Sequence, residues 1–512
     1  MLLKILHGKI ILFVVCITGL SVLVIEVVAT RILSPYFGNT IYTYSSIISV
    51  ILTALSFGYY LGGRVSDACP YEKYFYGIIF LSGFFSFFIE YIIVWFLEPM
   101  SKNISFVYGP LVFSLGLFFL PSFFLGMLTP FAITLQNIKF PESGIGKISG
   151  EVFFWSTFGS IVGGLVTGFY LIPNFGVDAI IIGVSCLLAA IGFIGLFAYS
   201  IQTKYLYVLL FIFSLFAAFS MVQTKIFKQY GFLYEGEGIY EKILVYDKDY
   251  EGRPARFLRS ELNSSSAMYL DSDDMLFEYS KYYSLYSLFN KNPKHILVLG
   301  GGAYSIPKKY LSEISDAMVD VIEFEPTLYS IAKKYFKLED SLRLKNYIED
   351  ARKFLLTTDN TYDVIFNDVY LSLYSVPSHV ITKEFFLLAK SKLNDGGIII
   401  MNLIGDIYPG EKSLVVSGMA TFDSVFENTY FFATDDPKKI EVQNIILLGI
   451  NSNQKIDFQD VLIKENINET IKNLEKQLIR KEDIPINQAL VFTDNFVPTE
   501  MYTATMLERS LH

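Results

Sequence analysis

The run His295-Ile-Leu-Val-Leu-Gly300-Gly301-Gly302-Ala303, read together with residues 304–368, decides the fold. A short apolar strand turns through glycines into a helix that starts near Ser305. Residues 319–324 are a second apolar run that ends in acid. Its Glu323 falls roughly 20 residues beyond the glycines, where a carboxylate grips a ribose in a doubly wound nucleotide fold. A third strand ends at Glu349-Asp350. A fourth, 362–368, delivers Asp368 to its carboxyl end, the edge at which open α/β sheets bind ligands. Three glycines after a strand are often only a tight turn. Glu323, Asp350 and Asp368 in register with them make a site.

Bulk properties bound the rest. The chain has 512 residues, 52% of them hydrophobic and 16% aromatic, too apolar for a wholly soluble enzyme. A net charge of −9 leaves no basic face for nucleic acid. Cys16, Cys69 and Cys186 have neither disulfide nor zinc spacing, so no metal site is expected.

The amino-terminal part, 1–225, reads as a polytopic helical membrane bundle. Apolar runs at 9–33, 44–63, 76–97, 106–132, 149–172, 177–198 and 205–222 are each near the ~20 residues that cross a bilayer, which gives about seven spans. Gly58/Gly62 and Gly159/Gly163 have the small-xxx-small spacing that lets helices approach closely. Glu26 and Glu90 fall mid-span. Glu26 is read either as an ion-pair partner of Arg31 or, with Glu90, as part of a polar cavity. The lysines and arginines of the loops place the amino terminus in the cytoplasm. An odd span count would then export the carboxyl-terminal half. A charged nucleotide made in the cytosol argues for a cytoplasmic catalytic half instead.

Composition turns polar after Lys228. Residues 229–290 read as a small β-region with a linking helix: a strand over 238–246, a hairpin partner at 256–259, and a helix over 278–289. Residues 291–512 hold the nucleotide fold. The stretch 369–380, with Pro377 and His379, is expected to be a lid over the site. Beyond it come a helix at 382–393, a strand at 397–403, a helix at 411–426 and antiparallel strands at 428–434 and 444–450. Residues 456–480 read as helical and charged.

The pattern resembles the spermidine synthase (aminopropyltransferase) family, and the whole chain its membrane-fused bacterial branch. The soluble resemblance rests on Ile239-Tyr240-Glu241-Lys-Ile243, Val298 to Gly302, Val321-Ile-Glu323, Glu349-Asp350, 362–368, and Phe492-Thr-Asp-Asn-Phe-Val-Pro-Thr-Glu500. In the membrane half it rests on Glu26 to Arg31, Ser34 to Gly38 and Gly58 to Asp67. The resemblance implies a class I methyltransferase-type, Rossmann-like domain and no prosthetic group. Decarboxylated S-adenosylmethionine would be the co-substrate and methylthioadenosine the product. Gly300, Gly301 and Gly302 would line the nucleoside, Glu323 the ribose and Asp350 the adenine amino group. Asp368 would be the catalytic carboxylate. Tyr240, Glu241, Tyr279 and Leu371 fall at substrate positions. The implied setting is a bacterial cell membrane, with the lipid bilayer and an amine as partners and a homo-oligomer left open.

Several positions depart from the family's pattern. Ala303 and Leu371 stand where the family has amine-binding aspartates, Glu241 replaces a glutamine, Lys281 a glutamate, and Asn495 an aspartate. The loss of charge at Ala303 opens an alternative: a lyase acting on S-adenosylmethionine itself, giving homoserine lactone and methylthioadenosine. Methyl transfer uses the same fold. A transporter or sensor with a ligand-binding domain is the non-enzymatic rival.

Overall fold

The computed structural model describes residues 2–38, 40–100, 104–105, 107–199, 208, 232–238, 242–260, 263–370, 376–407 and 413–510. The chain divides into two units, Met1–Gly231 and Phe232–His512.

Among the described residues, six helices of the first unit are long and apolar enough to cross a membrane. They are α1 (Leu2–Phe37), α2 (Ile41–Ala68), α3 (Glu72–Ile92, continued by the π turn Ile93–Leu97), α4 (Gly109–Lys139), α5 (Ile145–Val166, continued by the π turn Thr167–Leu171) and α6 (Val177–Tyr199). The span expected at 205–222 lies outside the described residues. The glycine pairs close two of the helix contacts. A Cβ on Gly62 would come within 2.5 Å of the Met127 carbonyl oxygen of α4, and one on Gly159 within 1.9 Å of the Cys16 carbonyl oxygen of α1. Hydrogen at these positions lets the backbones touch, which supplies helix association in an apolar solvent. Glu26 and Arg31 do not form the expected ion pair. Both sit on α1, and five residues along a helix turn their side chains about 140° apart. Glu90 is buried at 2% exposure, on the α3 face that also carries Ser82 and Ser86. The Ser82 hydroxyl donates to the Pro121 carbonyl of α4 at 3.0 Å.

The second unit begins with a four-stranded antiparallel sheet, β1 (Tyr234–Glu237), β2 (Lys242–Tyr250), β3 (Arg253–Ser260) and β4 (Asn263–Tyr269), paired in that order. The expected hairpin is β2–β3, with β1 and β4 added on either side. Residues 278–288 form a 3₁₀ segment where an α-helix was expected.

A larger sheet comes next. Its strands are β5 (His295–Leu299), β6 (Met318–Glu323), β7 (Leu344–Ile348), β8 (Tyr362–Asn367), β9 (Leu393–Gly405), β10 (Asn428–Ala433), β11 (Gln443–Ile450) and β12 (Leu478–Ile479). Their order is β12-β10-β11-β9-β8-β5-β6-β7. Strands β7, β6, β5, β8 and β9 are parallel; β11, β10 and β12 add antiparallel. Crossovers run through α7 (Ser305–Glu313), α8 (Pro326–Tyr335), α9 (Ala351–Thr357) and α10 (Lys383–Ser391), with α11 (Leu414–Asp423) between β9 and β10.

The central strands are apolar on both faces because both are covered. Leu297, Leu299 and Ile365 pack with Phe354, Phe385 and Phe422 on one side. Ile296, Val298 and Phe366 pack with Tyr283, Tyr304 and Tyr310 on the other.

The helix expected over 456–480 is replaced by two single turns, Val461–Lys464 and Glu469–Lys472. Asp460 and Asn468 cap their starts, accepting from Leu462 N and Thr470 N at 2.9 Å each. Such side chains compete for the backbone and break a longer helix. The last described element is α12 (Thr499–Ser510), a helix that starts just after Pro498.

Candidate active site

The site forms where the strand order reverses. From β5 the chain proceeds outward to β6 and β7, then returns to β8 on the other side of β5. That switch point opens a crevice at the carboxyl ends of the strands. Gly300 lies at one lip and Asp368 at the other.

Gly300 has φ +90°, and a Cβ there would lie 2.5 Å from the Asp368 carbonyl oxygen. Only glycine allows this backbone and this approach together. The Asp368 N–H in turn donates to the Leu299 carbonyl at 2.9 Å, so the two strand ends are tied. Gly302, at φ +52°, lies close under Ser266 of β4, so the small sheet packs on the glycine turn.

Glu323 ends β6 and organises the same turn. Its Oε2 accepts from the Gly301 and Gly302 N–H groups at 2.8 and 3.2 Å, and its Oε1 from Glu325 N–H at 2.9 Å. Burial pushes its carboxyl up, and these backbone donors oppose the shift. Oε2 thus has both lone pairs engaged, whereas Oε1 keeps one, which leaves acceptor capacity for a ligand hydroxyl.

Asp350 caps α9: its Oδ1 accepts from Lys353 N–H at 2.9 Å. Its Oδ2 lies 2.8 Å from Nε2 of His379. That contact, ahead of all others, holds the carboxyl below its ordinary value.

Asp368 is half-buried, and burial raises its carboxyl; hydrogen bonds from Asn402 and Tyr279 oppose the rise. Asn402 Nδ2 donates to Oδ1 at 2.8 Å, and Asn402 Oδ1 accepts from Asn444 Nδ2 at 2.9 Å. Tyr370 joins the group, accepting from Ile404 N–H at 2.8 Å and donating to the Asn402 carbonyl at 3.2 Å. Burial, reinforced by the charge of Asp368, pushes the Tyr279 and Tyr370 hydroxyls far up, so both stay neutral. One carboxylate among neutral hydroxyls and amides is an environment for a cation.

The structure thus brings Gly300, Gly301, Gly302, Glu323, Asp350, Asp368 and Tyr279 to one sheet edge. Ala303 is placed differently from the amine-facing position expected. It is fully buried with Ile243, Val245, Leu258 and Leu328. Tyr240, Glu241 and Leu371 lie outside the described residues. Among the described residues no cluster of His, Cys, Asp or Glu could hold a metal ion. Sequence reading missed Asn402, a single polar residue in the otherwise apolar strand Ile398 to Leu403.

Asn402 gives a test of the site's electrostatics. Asn402→Leu removes a donor that favours the ionised form of Asp368, so the carboxyl rises further. The acid limb of kcat/KM is expected to move to higher pH, with kcat lower by about tenfold, the scale of one charge-assisted hydrogen bond. A pH–rate profile superimposable on that of the unaltered enzyme would detach Asn402 from Asp368's ionisation.

A parallel core with its candidate site at the switch point defines a methyltransferase-type α/β domain. Residues 280–458 match the spermine/spermidine synthase domain. The carboxyl-terminal unit thus carries a domain similar to that family's, and the relatives it resembles are named polyamine aminopropyltransferases.

Among relatives, a polyamine aminopropyltransferase of Vibrio vulnificus is 25% identical over 298 residues, 56% of this chain and 95% of its own. Polyamine aminopropyltransferase 2 of Aquifex aeolicus is 24% identical over 415 residues, 77% of this chain and 79% of its own. That match is longer than the carboxyl-terminal unit and so reaches into the helical one. The solved structure of a probable spermidine synthase from Corynebacterium glutamicum is 21% identical, covering 47% of this chain and 86% of its own with a TM-score of 0.39.

Proposed function

We propose that this protein is a membrane-embedded enzyme that transfers the aminopropyl group of decarboxylated S-adenosylmethionine to an amine and releases methylthioadenosine. The observation that carries the reading is the meeting of a glycine turn and three carboxylates, Glu323, Asp350 and Asp368, at one switch point. The named activity of the relatives supports it.

Glu323 offers the remaining acceptor position of Oε1 to a ribose hydroxyl, and Asp350 an acceptor for the adenine amine. Asp368, across from Gly300, faces the sulfonium chain and the attacking amine. The amine lone pair forms a bond to the propyl carbon on sulfur as the C–S bond breaks, its electrons neutralising the sulfonium. The new ammonium then gives up a proton. The leaving group needs no acid, so the protein's task is in-line placement and acceptance of that proton by a carboxylate whose affinity for it burial has raised.

The lyase alternative draws no support from the relatives, and Ala303, on which it rested, is buried in an apolar cluster. The six apolar helices support embedding in a bilayer. The supply of nucleotide favours a cytoplasmic catalytic unit.

The test is to incubate purified full-length protein with decarboxylated S-adenosylmethionine, with and without a panel of diamines and triamines. Methylthioadenosine is expected to accumulate only when an acceptor is present. Its release from S-adenosylmethionine without any amine, or from neither sulfonium, would overturn the proposal.

A further inference from the structure

We propose that His379 is a positioning residue that makes Asp350 selective for a 6-aminopurine, held in place by the Arg352–Asp494 pair. The inference rests on the nucleoside reading of the site and deepens it.

An unsupported carboxylate at a helix start is free to rotate about its last bond. Asp350 is not. One oxygen accepts the Lys353 N–H at 2.9 Å, and the other meets His379 Nε2 at 2.8 Å. Each oxygen keeps one lone pair, and both side chains are partly open, Asp350 at 35% and His379 at 45% exposure, so a ligand can reach them. With both oxygens fixed, what faces the ligand is acceptor only. An exocyclic amine is matched there, whereas the carbonyl of a 6-oxopurine would meet a negative oxygen. A site built to bond N–H rejects the analogue lacking it, provided its groups cannot turn away.

His379 is itself anchored from behind. Its carbonyl accepts from Arg352 Nη1 at 3.1 Å. Arg352 forks onto Asp494 at 2.7 and 2.5 Å, and Asp494 Oδ1 also accepts from the Thr382 hydroxyl at 2.7 Å. The Asp494 N–H donates to Glu384 at 3.0 Å, and Lys383 N–H to the Phe492 carbonyl at 2.9 Å. The start of α9, the far end of the segment that begins at Asp368, and the terminal stretch around Asp494 therefore close into one ring. This gives Asp494 a task at the nucleoside end of the site, although it lies 142 residues from Arg352 in sequence.

The experiment is calorimetry of methylthioadenosine and its 6-oxo counterpart, methylthioinosine, with the full-length protein, His379→Ala and His379→Gln. The unaltered protein is expected to prefer the amino form. His379→Ala should weaken methylthioadenosine binding about tenfold, as for one charged hydrogen bond, and narrow the preference. His379→Gln, whose amide can donate in place of the ring, should restore both. Equal weakening of the two nucleosides, or no change in either, would overturn the proposal while leaving the nucleoside site standing. If the unaltered protein binds neither nucleoside, the reading of the site fails with it.

Discussion

Asp368→Asn is expected to lower turnover by roughly 10²–10³-fold, the scale found on removing one preorganised electrostatic group, while methylthioadenosine affinity stays near that of the unaltered protein. The substitution is nearly isosteric. Asn402 donates to Oδ1 at 2.8 Å, and an asparagine carbonyl at that position can still accept it. The turn at Gly300 is held through the Asp368 backbone, its N–H to Leu299, which a side-chain change does not touch. What disappears is the negative charge and the proton acceptor. Binding of the nucleoside, proposed to run through Glu323 and Asp350, should register little. Turnover within a few-fold of the unaltered enzyme would remove Asp368 from the chemistry.

Glu323→Ala should weaken methylthioadenosine binding by roughly 1.5–3 kcal/mol, the cost of losing hydrogen bonds to a charged group. The loss has two sources. The ribose hydroxyls lose their acceptor, and the Gly301, Gly302 and Glu325 amides lose theirs. Glu323→Gln separates them, because its one amide oxygen can serve the glycine turn while an uncharged amide nitrogen takes the place of the ribose acceptor Oε1. The expected order of affinity is Glu, then Gln, then Ala. Calorimetry giving equal affinity for all three would place the ribose elsewhere.

The parts of this architecture that were legible in the sequence are those where one physical requirement dominates locally. A parallel strand buried on both faces must be continuously apolar, so β5, β6 and β8 stood out. A strand-to-helix turn against a second strand end requires glycine, and Gly300 shows why. Acids gathered at the carboxyl ends of neighbouring strands drew attention to Glu323, Asp350 and Asp368, although Glu323 also holds the glycine turn and Asp350 also caps α9. The apolar helices announced themselves by length.

What was not legible depends on contacts made across the chain. Asn402 sits in an apolar strand, and its partners Asp368 and Asn444 are brought to it only by pairing of β8, β9 and β11. His379 fell in the stretch expected to be a lid, but its pairing with Asp350 was not visible. Ala303 looked like a missing charge beside the substrate; the small sheet packed over it makes it core. The segment 456–480 has helical composition, yet its Asp460 and Asn468 caps restart the chain twice, which composition does not reveal.

The central claim is transfer of the aminopropyl group, and the most direct measurement tracks that group. Full-length protein is supplied with decarboxylated S-adenosylmethionine deuterated in the aminopropyl chain, together with an unlabelled amine, and the products are read by mass spectrometry. The label is expected in a lengthened amine, in one-to-one ratio with unlabelled methylthioadenosine. Label retained in the nucleoside product, with only a methyl group moved to the acceptor, would contradict aminopropyl transfer.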